Sequence, residues 1–235
     1  MLVPLNADAK HIRSTTSMTQ AMKFTLPKHG VFSAFALVVD INGFTGMVDR
    51  SEGNLIAQFV RDVLGGGVRA VESCDGNVVG FMGDAFLGIL PSAESVFSAC
   101  VSIAKDLDRQ CEYISGHQVT KSDSWFFAPG GPGLKIGVEY GWLDVSSIDS
   151  VALGAQPLVI GPPINYASRI ISAGIGNRCL YGRAAASEGL DDYSSTGPFT
   201  VEGKPGEPAY QYYRLDMSDI WREGERELGH ESFWG

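Results

Sequence analysis

Hydrophobic positions first gather into an unbroken run, Phe35 to Val39, closed by Asp40. A run of that length bounded by turn residues predicts a buried strand, here over 32–41. Ser51 can cap a helix beginning near Glu52. Leu55, Ile56, Phe59, Val60, Val63, Val68 and Val71 carry that helix forward at helical spacing. Gly65-Gly66-Gly67 interrupts it, at about 1 kcal/mol per glycine relative to alanine. Either packing preserves the helix there, or a neighbour approaches it closely. Asp75-Gly76 is a turn signal. Asn77 to Met82 and Ala85 to Leu90 then predict two short strands around Gly83-Asp84, a hairpin that Pro91 ends. Val96, Phe97, Cys100, Val101, Ala104, Leu107, Cys111 and Ile114 form a second helical stripe over 93–114.

Further on, Leu134 to Leu143 reads as a strand and Val151 to Leu153 as another. Gly161-Pro162-Pro163 introduces a helix from about Ile164 to Ser172, since proline suits a first helical turn. Arg178–Tyr181, Phe199–Val201 and Tyr210–Leu215 are late strands. The order is β-α-β-β-α-β, then more strands and a helix. That predicts an α+β chain, a ferredoxin-like βαββαβ core with a C-terminal αβ subdomain. The expected partition is an N-terminal extension over 1–31, one domain over 32–215 and a tail over 216–235. Met18 to Met22 reads as a short helix, Pro27 to Gly30 as a turn, and the tail as a short surface helix. In the 115–133 loop, Trp125, Phe126 and Phe127 either fold back on the core or meet a partner.

Charge narrows the partners. A net charge of −9 argues against a nucleic-acid polymer, which needs a basic surface. One nucleotide remains compatible, because metals can supply the positive charge. No apolar run reaches the length of a membrane span, and the N-terminus has no signal-peptide apolar core, so a cytoplasmic protein is expected. Cys74, Cys100, Cys111 and Cys179 show no metal-binding spacing and read as reduced residues, Cys100 and Cys111 on a helix's apolar stripe. His11, His29, His117 and His230 are scattered, and nothing near them suggests a catalytic triad.

The candidate chemistry begins at Asp40. An aspartate ending a buried strand is costly unless something positive meets it. The glycine turn beyond it can aim backbone N–H groups at an anion. Asp84, in the hairpin turn, holds a matching place. In a βαββαβ sheet the first strand lies beside a hairpin strand, so the two carboxylates can converge. They then need a cation, or one must take a proton. Oxygen ligands favour Mg²⁺ or Mn²⁺. Unrelated turn aspartates would look the same. Asn165 and Arg169 share a helix face, suited to an oxygen in transit and a phosphate gaining charge. A solvated helix face is the plainer explanation. Lys204 sits on a tight turn between late strands, in reach of a terminal phosphate or simply on the surface.

Four segments in order resemble the class III nucleotidyl cyclases, the catalytic domains of adenylyl and guanylyl cyclases. Asp40-Ile41-Asn42-Gly43-Phe44-Thr45 is similar to the first metal motif, and Gly83-Asp84-Ala85-Phe86-Leu87 to the second. Lys135-Ile136-Gly137-Val138 with Gly141 resembles the central strand motif. Gly161 to Arg169 resembles the transition-state helix. The resemblance covers about 32–215. It implies that Asp40 and Asp84 bind two divalent metals, Mn²⁺ favoured and Mg²⁺ possible, with the Ile41 carbonyl helping one. It implies that Asn42, Gly43, Phe44 and Thr45 cradle phosphates through their backbone. Asn165 would orient the ribose, Arg169 would stabilise charge at the α-phosphate, and Lys204 would hold the terminal phosphates. The family works as a head-to-tail dimer, with the metal acids from one subunit and Asn/Arg from the other, so a homodimer could form two complete sites.

The chain departs from the family at the base. Adenylyl cyclases read adenine with a lysine three residues before the glycine of the second metal motif, where this chain has Gly80. They use an aspartate three residues before the glycine opening the helix motif, where this chain has Leu158. Guanylyl cyclases usually place Glu and Cys-like residues there. A purine edge facing Gly80 and Leu158 would lose hydrogen bonds, at about 1–3 kcal/mol per unpaired group. The resemblance is therefore drawn toward the bacterial pyrimidine cyclases of anti-phage signalling, which make cyclic UMP or cyclic CMP for a separate effector. UTP is the favoured substrate and CTP the next. A purine cyclase with an atypical base pocket, and a catalytically silent nucleotide-binding homologue, are the alternatives.

Overall fold

A computed structural model of the chain describes residues 24–45, 53–116, 134–152, 154–173, 178–193 and 195–216. Expectations for Met18–Met22, for Trp125, Phe126 and Phe127, for the Cys111 side chain and for the C-terminal tail fall outside these residues.

Strand β1 (Gly30–Ile41) is followed by helix α1 (Gly53–Ser73), strands β2 (Asn77–Met82) and β3 (Ala85–Leu90), and helix α2 (Ala93–Gly116). Strand β4 (Leu134–Ser150) then runs into β5 (Gly154–Ile160), helix α3 (Pro162–Ile170) and a 3₁₀ turn over Ile171–Ala173. Strand β6 (Arg178–Gly182), a short helix α4 (Arg183–Ser187), β7 (Thr196–Val201) and β8 (Tyr210–Asp216) complete the described order. The strands lie in the order β2-β3-β1-β4-β6-β8-β7, with β5 paired to β4 outside that path. The first part, β2-β3-β1-β4 with antiparallel neighbours, is the expected ferredoxin-like core. The C-terminal strands extend the same sheet through a parallel β4–β6 pair.

Strand β1 is apolar and buried from Ala34 to Val39 because both its faces are covered there. Phe35, Leu37, Val39 and Ile41 pack with Val63, Leu64 and Val71 of α1 and with Val96 and Cys100 of α2. Ala34, Ala36 and Val38 face the other way, into a second cluster with Ala167, Ile171 and Val159. Small residues on that face let α3 approach closely.

The three glycines of α1 do not break it. A Cβ on Gly67 would stand 2.5 Å from the Phe86 ring, so both expectations for that stretch hold: the helix continues, and a neighbour lies against it. The turn after α1 places its positive φ on Asp75 (61°), while Gly76 is needed because a Cβ there would strike Val71. The hairpin turn has positive φ at Gly83 (68°), the first position of a two-residue loop, as a type II′ turn requires.

One strand was expected in the wrong place. Val151 and Ala152 form a turn, with Val151 fully exposed, and the strands run over 134–150 and 154–160 on either side. Asp144 to Ser150 pairs with β5 as an arm with few buried side chains, so the alternation that marks a strand is missing there. Helix α3 starts at Pro162, slightly earlier than expected, with proline at its first positions.

Candidate active site

Side chains alternate along β1, so Asp40 falls on the face of Ala36 and Val38, just beyond the buried run. It pairs in register with Ala85 on one side and Lys135 on the other. Ala85 follows Asp84, which brings the hairpin turn to the end of β1, and the Ile41 N–H donates to the Asp84 carbonyl at 3.4 Å. The expected convergence of Asp40 and Asp84 is present. Burial pushes the Asp84 carboxyl above its ordinary value, and the Asp40 charge and a hydrogen bond with Asp40 push the same way.

Lys135 was noted only as part of a strand motif, yet its Nζ lies 2.8 Å from Asp40 Oδ2. Both side chains are about four-fifths buried, at 19% and 22% exposure. The β1–β4 register sets this pair, and no local signal could have revealed it. Two carboxylates facing one ammonium leave net negative charge. Among the described residues no cluster of three or more His, Cys, Asp or Glu forms a metal site. A pair of carboxylates fits a hard divalent ion that takes its other ligands from backbone carbonyl, water and substrate phosphate. Mg²⁺ and Mn²⁺ both suit that donor set. Asn42 and Gly43 (φ 71°) form the turn after β1, and Phe44 and Thr45 begin a helical turn. Gly43 and Thr45 are exposed, and Phe44 packs against the first core, so the backbone of this turn is held beside the carboxylates.

The raised Asp84 acid has a consequence for stability. Its proton is held more tightly in the folded state, so the stability it contributes is present at low pH. That stability is lost as pH rises from the ordinary value of 3.8 through the raised folded value. Thermal melts of the metal-free protein should therefore show a loss over this window that Asp84→Asn removes. An identical pH profile in Asp84→Asn would contradict the raised Asp84 acid.

Helix α3 carries the other set. Ala167 lies over Gly137 and Pro163 over Gly141, both in β4. A Cβ on Gly137 would sit inside contact distance of the Ala167 carbonyl oxygen and of Ile171. Gly137→Ala should thus displace α3, costing about 1–3 kcal/mol in stability and lowering any turnover that uses Asn165 and Arg169. Paired melts and assays check this, and full activity with an unchanged Tm would contradict the packing. Tyr166 pins α3 to β8, donating to the Gln211 carbonyl at 2.7 Å and meeting Tyr210 edge-on at 4.8 Å. Asn165 is exposed.

Arg169 forms a bidentate ion pair with Glu207, Nε to Oε2 at 2.8 Å and Nη2 to Oε1 at 3.0 Å. Glu207 closes the turn Lys204-Pro205-Gly206-Glu207, in which its N–H donates to the Lys204 carbonyl at 2.8 Å. Gly206 has φ 90°, as the third residue of a type II turn should. The Lys204 N–H and the Tyr210 hydroxyl also donate to Glu207 Oε2, at 3.2 and 3.4 Å. The Arg169 hydrogen bonds, then that of the Lys204 N–H, hold the Glu207 carboxyl down to about 2. The structure therefore joins Arg169 and Lys204 through a carboxylate that the sequence did not single out.

The two sets lie apart. Asp40, Asp84 and Lys135 sit at β3-β1-β4, and Arg169, Lys204 and Glu207 at the β7–β8 turn, with β6 between β4 and β8. No hydrogen bond or ion pair among the described residues links them. A cavity of about 670 Å³ beside Glu139, Tyr166 and Arg183 holds none of the expected site residues. Glu139 itself is buried and accepts N–H bonds from Tyr140 and Ala185, at 2.9 and 2.8 Å. Burial raises its pKa, while those N–H groups oppose the shift. It ties β4 to α4.

Gly80 lies beside a bulge in β2, and a Cβ there would meet nothing within 4 Å. Its neighbours Phe81 and Met82 are 60% and 55% exposed. Leu158, on β5, is half-buried. Val79 and Val159, adjacent to these two positions, pack on the same core cluster, so Gly80 and Leu158 fall in one region.

No protein-family model matches the chain, and no curated protein matches it. Solved structures do. The guanylyl cyclase Cya2 superposes with a TM-score of 0.67 at 17% identity, over 80% of this chain and 93% of that one. The adenylyl cyclase CyaB from P. aeruginosa gives 0.67 at 16%, over 81% and 97%. The guanylate cyclase domain of RhGC from Catenaria anguillulae, solved with GTP, gives 0.58 at 15%, over 80% and 98%. The architecture is the class III nucleotidyl cyclase fold.

Proposed function

We propose that the chain is a nucleotidyl cyclase that closes a nucleoside triphosphate to its 3′,5′-cyclic monophosphate and releases pyrophosphate. The carrying observation is the convergence of Asp40 and Asp84 at the end of β1, in a fold shared with adenylyl and guanylyl cyclases. In this reading a head-to-tail homodimer completes each site, and the separation of the two residue sets within one chain supports it.

Asp40, Asp84 and the Ile41 carbonyl would hold two divalent ions, Mn²⁺ favoured and Mg²⁺ possible. Bound there, such ions lower the pKa of a coordinated hydroxyl and offset phosphate charge. The turn over Asn42, Gly43, Phe44 and Thr45 offers backbone N–H groups to phosphate oxygens. Lys135, held at 2.8 Å from Asp40, can turn toward an arriving phosphate once its carboxylate partner is otherwise engaged. From the second copy, Asn165 orients the ribose so that its 3′-oxygen attacks the α-phosphorus in line. Arg169 meets the charge gathering on that phosphate, and Lys204 holds the terminal phosphates.

The base reading is pyrimidine, UTP before CTP, with the product serving a separate effector in bacterial antiviral defence. Gly80 and Leu158 support the pyrimidine part: neither can hydrogen-bond a purine edge through its side chain, and the space beyond Gly80 is open. The defence role rests on resemblance alone. A second reading, a purine cyclase, is favoured by the neighbours, among them a domain solved with GTP. A silent homologue is a third, since a class III adenylyl cyclase-like ATP-binding protein from Pseudomonas aeruginosa also superposes, with a TM-score of 0.56 at 18% identity. Purified protein with each of four NTPs and Mn²⁺ separates them. Cyclic UMP as the main product is expected. Cyclic AMP or cyclic GMP as the main product would establish the purine reading, and no product from any NTP the silent one.

A further inference from the structure

The carboxylate of Glu207 joins the Arg169 guanidinium to the backbone of the turn that carries Lys204. It takes Nε and Nη2 of Arg169 side-on at 2.8 and 3.0 Å, and the backbone N–H of Lys204 at 3.2 Å. The Tyr210 hydroxyl donates to the same oxygen at 3.4 Å, and the Tyr210 ring packs edge-on against Tyr166, one turn before Arg169 on α3. The helix and the turn are thus joined at two levels, ring on ring and carboxylate on guanidinium.

Stability does not explain this arrangement. Arg169 and Glu207 are both partly exposed, at 27% and 33%, and an ion pair screened by solvent at a surface contributes little to stability. The geometry is more specific than stability requires. Neither bond to Glu207 uses Nη1, so one end of the guanidinium fork stays directed away from the carboxylate. A side-on pair fixes the plane and reach of an arginine while leaving that end for a second acceptor. Meanwhile the type II turn, set by Pro205 and by Gly206 at φ 90°, brings Glu207 back over the Lys204 N–H. The carboxylate therefore fixes where the Lys204 side chain starts and where the Arg169 fork points.

We propose that Glu207 is a positioning residue that sets Arg169 and the Lys204 turn as one anion-binding unit before the triphosphate arrives. The inference rests on the cyclase reading of Arg169 and Lys204. It makes their roles interdependent: Arg169 acts on the α-phosphate and Lys204 on the terminal phosphates, and one carboxylate holds the distance between the two. A misplacement of about 1 Å at a reacting group costs on the order of 10²-fold in rate.

The test compares four variants with the native protein. Lys204→Ala should chiefly raise KM, and Arg169→Ala chiefly lower kcat. Glu207→Gln, which keeps the shape and removes the charge, should move both, lowering kcat about 10- to 100-fold and raising KM, with Tm unchanged. Partial unfolding would lower apparent kcat and leave KM alone, so the joint shift separates positioning from structural damage. Glu202→Gln, an exposed acid just before the turn, should alter neither constant and controls for the loss of one charge. A second arm needs no turnover: calorimetric binding of inorganic tripolyphosphate should weaken in Glu207→Gln as in Lys204→Ala. Unchanged or faster turnover in Glu207→Gln would overturn the proposal, the latter by showing the pair to be a lock. Should the native protein form no cyclic nucleotide, the cyclase reading fails and the binding arm alone decides. Weakened tripolyphosphate binding then upholds Glu207, and unweakened binding overturns it.

Discussion

Asp40→Ala should abolish metal-dependent turnover and leave the fold standing. The size of the expected loss follows from what the carboxylate would hold. A metal polarising phosphate oxygens and activating a hydroxyl supplies several kcal/mol of transition-state stabilisation. At about 1.4 kcal/mol per decade, losing roughly 4 kcal/mol lowers the rate about 10³-fold. The fold survives for local reasons. Alanine already occupies positions 34 and 36 on the same face of β1. Lys135 loses its partner at 2.8 Å, but its side chain is still about a fifth exposed and can be solvated. A second signature accompanies the rate. Mn²⁺ with a triphosphate should raise the Tm of the native protein by mass action, and that rise should vanish in Asp40→Ala. Product formation at the native rate would remove the two-metal mechanism.

Arg169→Ala should lose about 10²- to 10³-fold in kcat, the usual cost of deleting one donor aimed at developing charge. Metal dependence should not change, because Arg169 touches neither carboxylate in this chain. Arg169→Lys should recover little. An ammonium cannot reproduce the side-on pair with Glu207 and also present a free end to phosphate. Near-native kcat in Arg169→Lys would mean that only positive charge is needed at α3. The transition-state role of a planar fork would then be wrong.

How much of this was readable in advance depends on how local each signal is. Strand β1 announced itself because burial on both faces leaves an unbroken apolar run, with Ala34 and Ala36 where α3 approaches. The β2–β3 hairpin was legible because only Gly83 can hold its turn cheaply at φ 68°. Helix α3 was marked by prolines that suit its first turn. The outer half of β4 was missed because Asp144 to Ser150 buries only Val145, so no alternation of buried and exposed positions marks it. Helix α4 is about one turn long, too short for periodicity to appear. The least legible features are those made by contacts distant in sequence. Lys135 meets Asp40 through strand register, Glu139 meets the N–H of Ala185, and Glu207 meets Arg169 across 38 positions. In the candidate site, residue identities came from motifs, while the partners that orient them emerged only in the fold.

Asp40 and Arg169 make the composite site directly testable, because each can be removed from a different copy of the chain. Asp40→Ala and Arg169→Ala proteins, each inactive alone, would be co-refolded or exchanged at equal concentration and assayed with the preferred triphosphate. In a head-to-tail dimer the mixed species has one site with an intact Asp40 from one copy and an intact Arg169 from the other. Statistical mixing should restore about a quarter of native turnover. A mixture as inactive as its components, with subunit exchange confirmed, would show that both half-sites are needed from one chain and would contradict the composite site.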